Sequence, residues 1–121
     1  MKAQLRRLHS PDVQDLRNHV PEDPACFGIF IQAMLGPEGG VGEESFGFTA
    51  CTPAWLKKEL DNEQVRWGRA TLLVTHYDYT LLRQAVEAIC DRARADDWTE
   101  LGESLALFMD WEFQGYRETH S

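Results

Sequence analysis

From Cys26 to Ala50 the chain reads Cys26-Phe27-Gly28-Ile29-Phe30-Ile31-Gln32-Ala33-Met34-Leu35-Gly36-Pro37-Glu38-Gly39-Gly40-Val41-Gly42-Glu43-Glu44-Ser45-Phe46-Gly47-Phe48-Thr49-Ala50. Phe27, Ile29, Ile31, Ala33 and Leu35 fall on one side of an extended chain, while Phe30 and Met34 make the other side partly apolar, as in a strand inside a sheet. Gly36 through Gly42 is turn chemistry, because glycine supplies the positive φ values that a reversal needs. Phe46, Phe48 and Ala50 then alternate again. Two alternating runs around a glycine-rich loop define a β-hairpin.

The flanking sequence supplies the remaining elements. Lys2–His9, with Leu5 and Leu8 among polar neighbours, suits a half-exposed edge strand, and Ser10-Pro11-Asp12 ends it. The stretch to Pro24 is polar and reads as loop with about one helical turn. Thr52-Pro53 opens a short helix to Leu60, with a capping hydroxyl and proline in the first turn; Trp55, Leu56 and Leu60 are expected to face the core. Ala70–Tyr77 is rich in β-branched and apolar residues and predicts a fourth strand. Asp78 caps a helix in which Leu82, Val86, Ile89 and Ala93 recur at helical spacing. Asp97 and Glu100 have capping-box spacing and open a third helix with Leu101, Leu105 and Phe108 inward. The aromatics Trp111, Phe113 and Tyr116 alternate and suggest a short closing strand. The expected fold is therefore α+β: a mostly antiparallel sheet of about four strands with three helices packed on one face, one domain over 1–121.

Length and composition narrow the function. A chain of 121 residues is near the usual size of one domain and large enough to fold without metal or disulfide staples. Its basic first residues precede no apolar signal core, and its longest apolar run, near Phe27–Leu35, is far short of a membrane span. Cys26, Cys51 and Cys90 are odd in number and form no C-x-x-C, which fits buried thiols in a reducing cytoplasm. The formal net charge of −8 disfavours direct nucleic-acid binding and favours a basic protein partner, although acidity also serves plain solubility.

Catalytic and cofactor signatures are sparse. His9, His19, His76 and His120 are scattered without the short-spaced pairs of a zinc site, so no metal is expected. The glycines at 36, 39, 40 and 42 do not lie between a strand and a helix, as a phosphate cradle requires. The chain holds no G-x-S-x-G elbow, and no cysteine has a histidine nearby in sequence. His76 beside Asp78 is the best candidate general base, though an Asp there is more simply a helix cap. The expectation is a protein that is not an enzyme and carries no cofactor.

Charge is unevenly spread: residues 21–63 and 96–121 each sum to −6, whereas 1–20 and 64–95 are each +2. If the elements alternate up and down, Glu38, Glu43, Glu44, Asp61, Glu63, Asp96 and Asp97 gather at one end as a negative surface for a basic partner. The plainer reading makes them solvated loop charges and helix caps. Trp55, Trp98 and Trp111 fall on apolar faces. Trp67, between Arg66 and Gly68, has two readings, core residue or exposed interface anchor.

The chain also resembles a family. Leu8-His9-Ser10-Pro11-Asp12, Pro21-Glu22-Asp23-Pro24 with Phe27-Gly28 and Gln32-Ala33-Met34, and Gly36-Pro37 through Gly42-Glu43-Glu44-Ser45-Phe46 are similar to immunity protein 8. Cys51-Thr52-Pro53-Ala54-Trp55-Leu56, Gly68-Arg69 and Trp111-Glu112-Phe113 extend the resemblance over nearly the whole chain. It implies a bacterial cytoplasmic antidote that binds the C-terminal domain of a cognate polymorphic or contact-delivered toxin. It transfers no site residues. With the charge pattern it suggests occlusion of a basic nuclease cleft by the acidic end, in a monomer or weak homodimer. The alternative is an acidic adaptor without a toxin partner, paired with a second copy along Lys2–His9.

Overall fold

The computed structural model of the chain describes residues 1–113. Its elements are β1 (Ala3–His9), β2 (Gly28–Pro37), β3 (Glu44–Cys51), α1 (Pro53–Glu63), β4 (Thr71–Leu73), α2 (Tyr79–Arg92), α3 (Trp98–Leu105) and β5 (Asp110–Trp111). The strands form one sheet in the order β1-β2-β3-β4, with β5 paired beside β3. Among the described residues only β3 and β4 run parallel; the other pairs are antiparallel. The class is α+β, as expected, with a fifth strand where the closing aromatics predicted one; Gln114–Tyr116 lie outside the described residues.

The β2–β3 hairpin sets the geometry. Ile29↔Ala50, Ile31↔Phe48 and Ala33↔Phe46 are register partners, so the apolar residues of both strands share one face. Leu82, Val86 and Cys90 of α2 and Leu101 and Leu105 of α3 are buried in the same core. β1 adds Leu5 and Leu8, which three residues of regular strand would send to opposite faces. A register shift between Leu5 and Arg7 lets both point inward.

α1 stands apart. It contributes no fully buried residue: Trp55, Leu56 and Leu60 are half-buried on one side of the helix, with Lys57 and Lys58 exposed on the other. Its Thr52 cap does double service: Oγ1 accepts from the backbone N–H of Trp55 and from that of Phe27. The Trp55 indole then fills the space beside Gly28, where a Cβ would lie 2.1 Å from the ring. Gly28 alternates with the core residue Ile29, so Trp55 covers the end of the other sheet face. That face otherwise carries Phe30, whose ring lies over Gly47.

Two departures from expectation have local causes. β4 is shorter than Ala70–Tyr77 because its partner ends: Leu73 pairs with Cys51, the last residue of β3. Beyond it, the Tyr77 backbone N–H donates to Pro24 and its hydroxyl to the Leu16 carbonyl, tying down the long 10–27 loop. Phe108 was expected inward but is 54% exposed, because α3 stops at Leu105 and the tight turn that follows buries Met109 instead.

The cysteines are free, with Cys51 and Cys90 buried and Cys26 partly exposed. Burial pushes the Cys90 thiol up to about 11 and raises that of Cys51. At pH 8 both should remain neutral thiols, so a disulfide reagent should modify Cys26 first and the other two only on unfolding. Equal rates for all three would contradict the burial. Gly28→Ala should destabilise the fold by about 1–3 kcal/mol in urea unfolding. The loss should shrink markedly in a Trp55→Ala background, where the clashing ring is gone.

Candidate functional site

The hairpin loop, the chain start and the α2–α3 turn converge at one end of the sheet. The N-terminal ammonium of Met1 donates to the Ala95 carbonyl at 2.8 Å, which brings Asp96 and Asp97 beside β1. The Glu38 N–H donates to the Lys2 carbonyl at 2.8 Å, closing the hairpin loop onto the same strand. Glu44 accepts from the indole N–H of Trp98, next to Asp97, and from that of Trp111 at 3.1 Å. Five of the expected residues, Glu38, Glu43, Glu44, Asp96 and Asp97, thus belong to one assembly.

Their roles there differ. Glu44 is a structural acceptor: it holds two indoles that pack on Phe46, Trp111 stacked at 5.8 Å and Trp98 edge-on at 6.4 Å. Asp97 caps α3 by accepting from the Glu100 N–H at 2.9 Å. Glu100 accepts in turn from the Asp96 N–H at 3.4 Å, one residue earlier than the usual box partner. Glu43 pairs with Arg7 at 2.8 Å and Glu38 with Lys2 at 3.7 Å, at solvent-exposed positions where such pairs hold weakly. A cleft of about 360 Å³ opens at this end, with Leu35, Pro37, Val41 and Trp98 as apolar walls and Glu43 and Glu44 as carboxylates. Aliphatic and aromatic walls beside carboxylates suit the stem and head of a lysine or arginine.

Asp61 and Glu63 are placed elsewhere, on the helix that leaves the opposite end of β3. Asp61 is exposed. Glu63 is engaged by Arg66, whose hydrogen bond holds the Glu63 carboxyl below the usual carboxylate range. Arg66 also pairs with Glu59 at 3.4 Å and lies 5.5 Å over the Trp55 ring. Trp67 is 93% exposed, which removes its core reading. Trp55, Glu59 and Glu63 lie four residues apart along one face of α1, a spacing visible in the sequence, and Arg66 folds back onto that face.

His76 and Asp78 approach to 3.9 Å at the surface, but Asp78 Oδ1 accepts from the Thr80 N–H and caps α2. Among the described residues, no group of three His, Cys, Asp or Glu converges for a metal ion. Among them, too, no helix is long and apolar enough to cross a membrane.

This α+β fold thus presents a cleft with carboxylates in its lining and several exposed apolar side chains. The sequence model of immunity protein 8 matches residues 3–116, and the chain belongs to that family. No curated protein and no solved structure matches it.

Glu44 is the residue of this end on which stability depends. Glu44→Ala should lose about 2–3 kcal/mol, because two indole N–H groups are left without an acceptor. Glu44→Gln, which keeps an acceptor oxygen, should lose less than about 1 kcal/mol. Urea unfolding followed by tryptophan fluorescence measures both; equal losses would show that the acceptor does not matter.

Proposed function

We propose that this chain is a cytoplasmic immunity protein that binds and neutralises the C-terminal domain of a cognate polymorphic or contact-delivered toxin, and is not itself an enzyme. Family membership over 3–116 is the observation that carries the reading. The acidic cleft supports a finer one: the toxin is a basic domain, a nuclease, and the hairpin end enters its substrate cleft in place of a phosphate backbone. Glu38, Glu43, Asp96 and Asp97 are exposed and supply the steering charge, while Glu44 shapes the wall. Asp61 and Glu63 form a second acidic group on α1. Lys and Arg side chains of the partner would displace Arg7 and Lys2 from pairs weak enough to exchange.

Co-expression with the protein encoded immediately upstream tests the function. Rescue of growth together with a co-purifying complex is the expected result; a non-toxic neighbour that forms no complex contradicts it. The combined variant Glu38→Lys, Glu43→Lys and Asp96→Lys tests the surface. Its association should slow about tenfold or more at low salt, with far-UV dichroism unchanged. An unaltered association rate would move the interface away from the hairpin end. Asp61→Lys, made alone, shows whether the acidic surface extends to α1.

A further inference from the structure

The segment Val65-Arg66-Trp67 presents side chains in an unusual order. Trp67 is 93% exposed and Val65 78%, while the long cationic side chain between them is only 29% exposed. Arg66 is drawn inward by Glu63, by Glu59 and by the Trp55 ring, which is itself seated against Gly28 of the sheet. The tryptophan and valine on either side of it are left in water.

The backbone fixes the same segment at both ends. Gln64 (φ 67°) and Ala70 (φ 48°) are the two non-glycine residues with positive φ among the described residues, and they bracket it. Gln64 is the left-handed cap that ends α1, its N–H donating to the Leu60 carbonyl, while Ala70 holds a conformation that non-glycine residues rarely adopt. Arg69 pairs with Asp110 of β5 at 3.0 Å, and the Ala70 carbonyl accepts from the Thr49 N–H at 2.9 Å, which anchors the exit to β3 and β5. An exposed tryptophan offers a large apolar surface with only two side-chain torsions to order on burial, which suits an interface anchor.

We infer that Val65 and Trp67 form an apolar ridge that inserts into an apolar pocket of the cognate toxin domain, with Arg66 as the residue that positions it. The inference rests on the immunity reading. It assigns the slow dissociation of the complex to this ridge and the fast association to the acidic cleft. A second copy of this chain is the poorer occupant, because two chains of net charge −8 repel, whereas a basic domain is attracted. The guanidiniums beside the ridge are already matched by carboxylates, so they add no repulsion towards a basic partner.

The test is dissociation kinetics of the purified complex with the upstream-encoded toxin domain. Trp67→Ala should raise the dissociation rate by about 30-fold or more and change the association rate by less than about threefold. Arg66→Met should raise the dissociation rate about five- to tenfold with Trp67 intact, and Arg66→Lys should restore part of it. In the wild-type complex, iodide should lose its access to Trp67; a Trp67→Phe control identifies that signal. Unchanged dissociation of the Trp67→Ala complex overturns the inference while the immunity reading stands. Concentration-dependent dimers of the free chain that Trp67→Ala abolishes also overturn it, in favour of self-association. If the wild-type chain forms no complex at all, the immunity reading fails first and the inference with it.

Discussion

The backbone pairing of β2 with β3, from Gly28↔Cys51 to Leu35↔Glu44, is the constraint on which everything else rests. It aligns the apolar sides of two long strands, and α2 and α3 have that face to bury against. It also fixes where each end of β3 delivers its neighbours. Glu44, at the hairpin end, reaches the indoles of Trp98 and Trp111, and Cys51, at the other end, launches α1 and ends β4. A slip of one residue would exchange the core and solvent faces along both strands and leave Glu44 facing the wrong way for the indoles.

Much of this was legible because it rests on local chemistry. The hairpin follows from alternation around glycines, two of which, Gly39 and Gly42, do take positive φ. Thr52, Asp78 and Asp97 cap their helices as their positions predict, because an N-cap depends only on a side-chain oxygen and the next turn of backbone. What depends on distant partners was not legible. The length of β4 is set by where β3 stops, and the bulge in β1 by the need to turn both Leu5 and Leu8 inward. Trp55 looks apolar and helical in sequence, yet its place is decided by a missing Cβ in β2, some 27 positions earlier.

The candidate site divides along the same line. Three glutamates of one loop are bound to stay together, and they do. That Asp96 and Asp97 join them follows from Met1 meeting Ala95, a contact spanning 94 positions that no pattern announces. Asp61 and Glu63 share the sign of the others but not their end of β3, because α1 leaves the opposite end of that strand. Sequence charge therefore located the acidic content, and topology sorted it into a cleft at the hairpin end and a second group on α1. The carboxylates differ in how they are engaged: Glu38 and Glu43 sit in weak surface pairs, whereas Glu44 and Glu63 hold side chains in place.

In the proposed function the acidic cleft competes with the toxin's own substrate. The measurement that tests this most directly is inhibition of the purified toxin domain at several substrate concentrations, with binding of both ligands followed in parallel. Mutually exclusive binding, with inhibition relieved by excess substrate and one chain silencing one toxin domain, is the predicted result. A stable ternary complex of toxin, substrate and this chain, still inhibited, would contradict occlusion and require inhibition from a remote surface.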